Sequence, residues 1–181
     1  MRIQEIYPKD FPDNKFLLFH YKSNFYYDVK ITTKENGLGW SFEWILKPFE
    51  KEFIKNLKKE FFQDYKENTK YFIMLNEQEE EIAQLAVGHQ KFNNRARIWD
   101  IYIEEVFQRQ GLGKNLIEFA ENIAREWKCR AMVLECQSSN VQAINFYVKN
   151  GYSLTGFDLT AYSNNDVPNH EIRLEMSKII L

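Results

Sequence analysis

A glycine-containing loop between an apolar segment and an amphipathic one is the feature that most constrains the fold. The loop reads Gln108-Arg109-Gln110-Gly111-Leu112-Gly113-Lys114. The segment before it, 98–103, is rich in β-branched and aromatic residues, which is typical of a strand. The segment after it carries apolar residues at three- and four-residue steps, namely Leu112, Leu116, Phe119, Ala120, Ile123 and Trp127. The sequence therefore predicts a strand, a tight loop and a helix in succession.

This loop is suited to hold a phosphate-bearing ligand through its backbone. Gly111 and Gly113 allow a tight turn and a close approach without Cβ interference. The free N–H groups and the dipole of the following helix favour an anion, and Arg109 and Lys114 add positive charge. The spacing is neither that of the dinucleotide fingerprint nor that of a P-loop. The alternative is that the glycines only mark the boundary between strand and helix.

A second element follows a predicted strand over residues 131–136. Asn140 is a typical helix N-cap and Gly151 a typical helix stop, so a helix is predicted over 140–150. Ala143, Phe146 and Tyr147 share one face of that helix. Taken alone, this element is a short core helix with a packed tyrosine.

Together these two elements resemble the GNAT superfamily of N-acetyltransferases. The superfamily's acetyl-CoA loop, Gln/Arg-x-x-Gly-x-Gly/Ala, is matched by Gln108, Gly111 and Gly113. Its later pattern, Asn-x-x-Ala-x-x-Phe-Tyr-x-x-x-Gly-Tyr/Phe, is matched by Asn140, Ala143, Phe146, Tyr147, Gly151 and Tyr152. The resemblance covers residues 71–181. It implies an α/β (α+β) fold: a mixed, mostly antiparallel central sheet with flanking helices, whose splayed central strands hold acetyl-CoA.

Within the superfamily the chain is similar to streptothricin acetyltransferases. Residues 134–140 resemble their Leu-Glu-Thr-Gln-x-x-Asn segment, and residues 158–172 resemble their C-terminal tail. Cys136 stands where threonine is usual, and Ala161 where leucine is usual. These departures concern the substrate and not the transfer of an acetyl group.

The resemblance also implies roles for individual residues. The acetyl-CoA phosphates are expected at a loop formed by Gln108, Arg109, Gln110, Gly111, Gly113 and Lys114. The main chain of Ile101 and Ile103 is expected to meet the pantetheine arm from one side and Asn140 from the other. The N–H of Ile103 is expected to stabilise the oxyanion. Tyr147 stands at the position of the general acid that protonates the departing thiolate, whereas Tyr152 is expected in the core.

The attacking amine must lose a proton, so the site also needs a base or a water chain. Asp100, Glu104 and Glu135 lie on or beside the splayed strands and are the candidates, and Glu104 is the preferred one. The tail residues Asp158, Tyr162 and Glu171 are candidates for binding a cationic substrate; the alternative is that they are polar loop residues.

Three functions are compatible with these residues. The first is acetylation of a primary amine on a small cationic molecule, such as the β-lysine group of streptothricin. The second is acetylation of a protein N-terminus or lysine, which requires an open groove. The third is a non-catalytic domain that binds acyl-CoA. The aromatic segment 40–44 favours a roofed site for a small amine, and the presence of Tyr147 argues against the third function.

Composition limits the remaining choices. The formal net charge is −2, and without a basic run no nucleic-acid partner is expected. No apolar stretch resembles a secretory signal or a membrane span, so a cytoplasmic location is expected. Cys129 and Cys136 are interpreted as core or half-buried residues, and their spacing predicts no metal site. A homodimer is compatible with the sequence.

The chain is expected to form one domain, 1–181, with residues 1–50 on the substrate side and 71–181 as the acetyl-CoA-binding core. Strands 24–33 and 39–47 are expected to pair through a turn at 34–37. After Pro48, the spacing of Phe53, Leu57, Phe61 and Tyr65 predicts a helix, whose charged run 55–66 is interpreted as its solvated face. Further strands are predicted at 70–76, 82–91, 95–103, 131–136, 152–160 and 170–177.

Overall fold

The computed structural model describes residues 1–33 and 39–180. This part of the chain forms nine strands and two helices. The elements are β1 (Arg2–Ile6), β2 (Phe16–Thr33), β3 (Trp40–Glu60), β4 (Thr69–Leu75), β5 (Glu81–Gln90), β6 (Arg95–Ile103), α1 (Leu112–Glu126), β7 (Ala131–Gln137), α2 (Val141–Lys149), β8 (Ser153–Asp158) and β9 (Arg173–Ile179). Short 3-10 turns occupy Pro8–Asp10 and Glu105–Phe107.

Seven strands form one mixed sheet in the order β1-β4-β5-β6-β7-β9-β8. Within the described residues its neighbours pair antiparallel except β6 and β7, which are parallel. Both helices pack into one apolar core, to which α1 contributes Leu116 and Ala120 and α2 contributes Ile144. The predicted α/β class with a mostly antiparallel sheet is thus confirmed, whereas β1 was not predicted.

Strands β2 and β3 form a separate long hairpin, paired from Phe16–Glu60 to Thr33–Trp40. The two predicted strands are confirmed, although both are longer than expected. The turn at 34–37 lies outside the described residues. The helix predicted after Pro48 is wrong, because β3 continues to Glu60.

The spacing of apolar residues explains this error. Phe53, Leu57 and Phe61 recur every four residues, and a step of four also keeps side chains on one face of a strand. Leu57 is exposed, so the expected buried helical stripe does not exist. Pro48 lies opposite Phe25 at an irregularity in the ladder, where a missing N–H is tolerated.

The base of the hairpin packs on the face of the sheet formed around β4 and β5. Leu17 and Phe61 are buried there against Tyr71 and Ala86. The charged run 55–66 is therefore not a solvated helix face: its first part is strand, and Lys66 at its end is only 4% exposed. The hairpin is firmly anchored at this end.

Farther along, the hairpin crosses the end of β7. The Tyr21 hydroxyl contacts Gln137 Oε1 and Ser139 Oγ, both at 2.8 Å. The N–H of Tyr27 donates to the carbonyl of Ser138 at 3.0 Å. Beyond this crossing, Trp44 packs edge-on against Phe157 of β8. The hairpin therefore spans the sheet end where β7 finishes and α2 begins.

No helix within residues 1–33 and 39–180 is long and apolar enough to cross a membrane.

Candidate active site

A cleft opens between β6 and β7, as the predicted splay requires. Their parallel pairing runs from Arg95–Ala131 to Ile98–Leu134 and stops there. Strand β7 continues to pair with β9 as far as Gln137, so β6 is the strand that turns away. The register with β5 shifts at the same place, because Ala86 opposes Asp100 whereas Val87 opposes Ile98. Trp99 is thus the extra residue of a β-bulge, which bends a strand and ends its pairing.

The bend leaves backbone groups of β6 facing the cleft. The N–H of Glu104 donates to the carbonyl of Ile82 at the start of β5, at 3.0 Å. Because the backbone groups of successive strand residues point to alternate edges, those of Ile101 and Ile103 point away from β5. The Ile103 carbonyl accepts a hydrogen bond from Gln108 Nε2 at 2.9 Å. The Ile101 backbone and the Ile103 N–H therefore remain directed into the cleft.

The glycine loop continues from this edge into α1. Arg109 and Gly111 both have left-handed backbones, with φ of 61° and 85°, and Gly111 is the N-cap residue of α1. Successive N–H groups in such turns form a concave anion site, which the helix dipole reinforces. Arg109 and Gln110 are exposed, and Lys114 forms an exposed ion pair with Glu118 at 3.6 Å.

Gly113 has a different environment from Gly111. A Cβ at Gly113 would lie 3.1 Å from the Phe146 ring, whereas a Cβ at Gly111 would have no atom within 4 Å. Gly113 therefore allows the start of α1 to approach α2. Of these two glycines, Gly111 is the one that combines open space with a backbone conformation that favours glycine.

Asn140 caps α2 across the cleft. Its Oδ1 accepts a hydrogen bond from the N–H of Ala143 at 3.1 Å, as expected for an N-cap. Among the described residues, nothing accepts from its side-chain N–H groups. The residue can thus cap the helix and still donate to a bound molecule.

Tyr147 of α2 is 7% exposed and lies among the core side chains. Its ring contacts those of Phe146 and Tyr152. Burial raises the pKa of Tyr147 above its usual range, and the neighbouring Cys136 adds to the shift. Its hydroxyl makes no hydrogen bond within the described part of the chain. The hydroxyl proton is therefore not donated to any described protein group. Tyr152 is 2% exposed and belongs to the core, as predicted.

Three carboxylates were candidate bases, and two of them are already engaged. Asp100, whose side chain is fully buried, forms ion pairs with Lys59 and Lys66. Glu135 pairs with Arg97 and Arg173, at 3.0 Å each. Both carboxylates are therefore already paired with cations of this chain.

Glu104 is the remaining candidate. Its carboxylate has no hydrogen bond or ion pair with any described residue. Burial raises the pKa of Glu104, the Glu81 carboxylate raises it further, and Lys15 opposes both effects. A carboxylate with a raised pKa is a stronger base than an ordinary surface carboxylate.

The three tail residues expected to bind substrate lie in different settings. Tyr162 donates its hydroxyl to Glu135 Oε1 at 3.1 Å. Glu171 forms an ion pair with Lys55 of the hairpin, so its charge is already balanced. Asp158 accepts from the N–H and hydroxyl of Thr160. It also lines a concavity of about 310 Å³ that includes Arg173.

Sequence reasoning did not find the contacts that hold the hairpin over this region. No sequence motif includes Lys59, Lys66 or Tyr21. Their partners lie at least 34 positions away in the chain, namely Asp100, Gln137 and Ser139. No local signal reveals such pairs. No group of three potential metal ligands occurs within the described ranges.

The bulged strand, the glycine loop and the capped second helix form the arrangement that the resemblance to N-acetyltransferases led us to expect. Residues 41–152 match the model of the acetyltransferase (GNAT) family. The chain therefore belongs to that family, whose members use acetyl-CoA, and the recognition made from the sequence is confirmed.

Sequence and structure relatives agree with this membership. An uncharacterized N-acetyltransferase of Lactobacillus delbrueckii subsp. lactis is 43% identical over 58 residues, which are 32% of this chain and 34% of that protein. The chain thus matches about a third of the length of this relative.

Two solved structures match nearly the whole chain. A nourseothricin acetyltransferase has a TM-score of 0.76 and 22% identity, covering 99% of this chain and 98% of its own. A putative streptothricin acetyltransferase from Bacillus anthracis str. Ames, in complex with acetyl coenzyme A, has a TM-score of 0.75 and 23% identity, with coverages of 98% and 96%. Six further structures, with TM-scores of 0.53–0.56, cover only 61–65% of this chain.

Proposed function

We propose that this protein transfers the acetyl group of acetyl-CoA to a primary amine of a small cationic molecule of the streptothricin type. The observation that carries the proposal is the extent of the structural match. Two acetyltransferases named for such antibiotics match 98–99% of the chain, hairpin included. Six further structures cover only 61–65% of the chain.

The donor side of the site fits acetyl-CoA. The turn around Gly111 and the start of α1 present N–H groups to the phosphates. The backbone edge at Ile101 and Ile103 can pair with the amide-bearing pantetheine arm as an added strand would. The amide of Asn140 faces the same arm from α2. When bound, acetyl-CoA supplies an activated acetyl thioester.

Within this arrangement the Ile103 N–H stabilises the negative charge that develops on the acetyl oxygen. A well-placed donor of this kind contributes about 3–4 kcal/mol to catalysis. Tyr147 donates its proton to the departing thiolate, because its hydroxyl is protonated at neutral pH and has no protein acceptor. Glu104 accepts a proton from the attacking ammonium group, directly or through water.

The acceptor side is covered by the hairpin, which favours a small molecule over a folded protein. The hairpin is fixed to the end of β7 by Tyr21 and Tyr27 and to the tail by the Lys55–Glu171 ion pair. Asp158 and Tyr162 lie on the tail segment and remain our candidates for contacting the cationic substrate. Acetylation of a protein N-terminus would need this cover to open.

A thiol-release assay tests the proposal. Purified protein and acetyl-CoA are mixed with streptothricin, a polyamine, an aminoglycoside or a short peptide, and free thiol is followed over time. We expect release with streptothricin that the Tyr147→Phe variant does not support. Release with the peptide alone would favour the protein-acetylating function. Tight acetyl-CoA binding without release for any amine would favour the non-catalytic one.

A further inference from the structure

The strongest unassigned feature is a buried ion cluster at the bend of β6. The side chain of Asp100 is fully buried, that of Lys66 is 1% exposed, and that of Lys59 is 27% exposed. Lys66 Nζ lies 2.6 Å from Asp100 Oδ2 and also donates to the Phe61 carbonyl at 2.8 Å. Lys59 approaches the other carboxylate oxygen. Two lysines of the hairpin side therefore share one carboxylate of β6.

The cluster is located where the cleft opens. Asp100 directly follows Trp99, the extra residue of the bulge, and directly precedes Ile101, whose backbone faces the cleft. Beyond Ile98, β6 no longer pairs with β7. Because the bent segment has no β7 neighbour, other contacts must hold it in place, and its hairpin-facing side provides them.

The hairpin base supplies that support through three residues of the bent segment. Tyr65, just beyond β3, packs edge-on against Trp99, with ring centroids 5.7 Å apart. Phe19 of β2 packs edge-on against Tyr102 at 5.1 Å. Lys59 lies over the Phe19 ring, 5.1 Å from its centroid, and binds Asp100. Hairpin and bent strand therefore act as one connected unit.

We infer that Asp100 is a positioning residue, whose ion pairs with Lys59 and Lys66 hold the bent part of β6 in the geometry that binds acetyl-CoA and couple it to the hairpin. The inference rests on the proposed function, since it assigns the cleft to acetyl-CoA. A buried ammonium group such as that of Lys66 is costly unless a carboxylate pairs with it, and Asp100 is that partner. The desolvation free energy that this cluster costs is consistent with a role in fixing one arrangement of the cleft.

Lys59 offers the cleanest test, because its loss leaves the fully buried Asp100–Lys66 pair in place. We compare Lys59→Met with Lys58→Met, a neighbour that lies over Phe16 and does not contact Asp100. Lys59→Gln serves as a second variant that keeps hydrogen-bonding capacity, and Lys59→Arg as the conservative replacement. Acetyl-CoA affinity is measured by calorimetry. Hydrogen exchange of the β2 amides is measured with and without acetyl-CoA.

In wild type we expect acetyl-CoA to slow hydrogen exchange of the β2 amides, because the hairpin is coupled to the cleft. We expect Lys59→Met and Lys59→Gln to weaken acetyl-CoA binding about five- to tenfold and to abolish this slowing. Lys59→Arg restores both, and Lys58→Met changes neither. If wild type binds acetyl-CoA but Lys59→Met behaves as Lys58→Met does, the inference fails and the proposed function stands. If wild type does not bind acetyl-CoA, both fail.

Discussion

A single hydroxyl group distinguishes a catalytic Tyr147 from one that only packs. Because that hydroxyl has no partner in the described structure, Tyr147→Phe removes no protein hydrogen bond and should leave stability nearly unchanged. We expect kcat to fall about 100-fold or more, with acetyl-CoA affinity unchanged. Thiol release measured beside calorimetry separates the two effects. As the control, Tyr152→Phe should retain the rate. Wild-type turnover by Tyr147→Phe would assign Tyr147 to packing alone.

Glu104 is tested by the dependence of activity on pH. Its pKa is raised, and only the deprotonated carboxylate can accept a proton, so kcat/KM should fall as pH drops through that raised value. Glu104→Gln should lower kcat and remove this acidic limb of the profile. Its exposed neighbour Glu105 provides the matched control, Glu105→Gln, which should keep the wild-type profile. An unchanged acidic limb in Glu104→Gln would exclude Glu104 as the base.

Asn140 combines two roles that a substitution can separate. Serine is as good an N-cap as asparagine, so Asn140→Ser should change the unfolding free energy by less than about 0.5 kcal/mol. It lacks the amide donor, and acetyl-CoA affinity should therefore fall about three- to tenfold. Urea denaturation and calorimetry measure the two quantities. Full affinity in Asn140→Ser would show that Asn140 serves the helix only.

At the scale of elements, the two glycines of the loop should respond differently to substitution. Gly111→Ala places a Cβ on a left-handed backbone and should cost about 1–2 kcal/mol of stability, whereas Gly111→Asn should cost less. Gly113→Ala should destabilise through contact with Phe146 instead. Denaturant unfolding of the three variants measures these costs. Equal stability of Gly111→Ala and Gly111→Asn would contradict the backbone argument.

The sequence predicted an element well where the residues that specify it are neighbours in the chain, and poorly where they are far apart. Strand β6, α1 and α2 were predicted nearly to their ends, because their periodicity, caps and glycines are local. The second half of β3 was predicted as a helix, since a four-residue spacing fits both periods. The expectation that the backbone of Ile101 and Ile103 faces the cleft came from the resemblance to the family. The engagement of Asp100 and Glu135 depends on distant lysines and arginines, which no local pattern reveals.

At the scale of the whole molecule, the hairpin connects three separate parts of the central sheet. It packs on the sheet through Leu17 and Phe61, crosses the end of β7 at Tyr21, and reaches β8 at Trp44. In the function that we propose, the same element covers the acceptor side of the cleft and supports the bent strand of its donor side. We therefore propose a small amine, and not a folded protein, as the acceptor.

The most direct test of the central claim is the mass of streptothricin after incubation with the protein and acetyl-CoA. We expect the antibiotic to gain one acetyl group on a primary amine, in proportion to the thiol released. The gain should be lost in Tyr147→Phe. A short peptide present at equal concentration should remain unmodified. An unmodified antibiotic beside a peptide acetylated at its N-terminus would contradict the account of the substrate and leave only the family assignment.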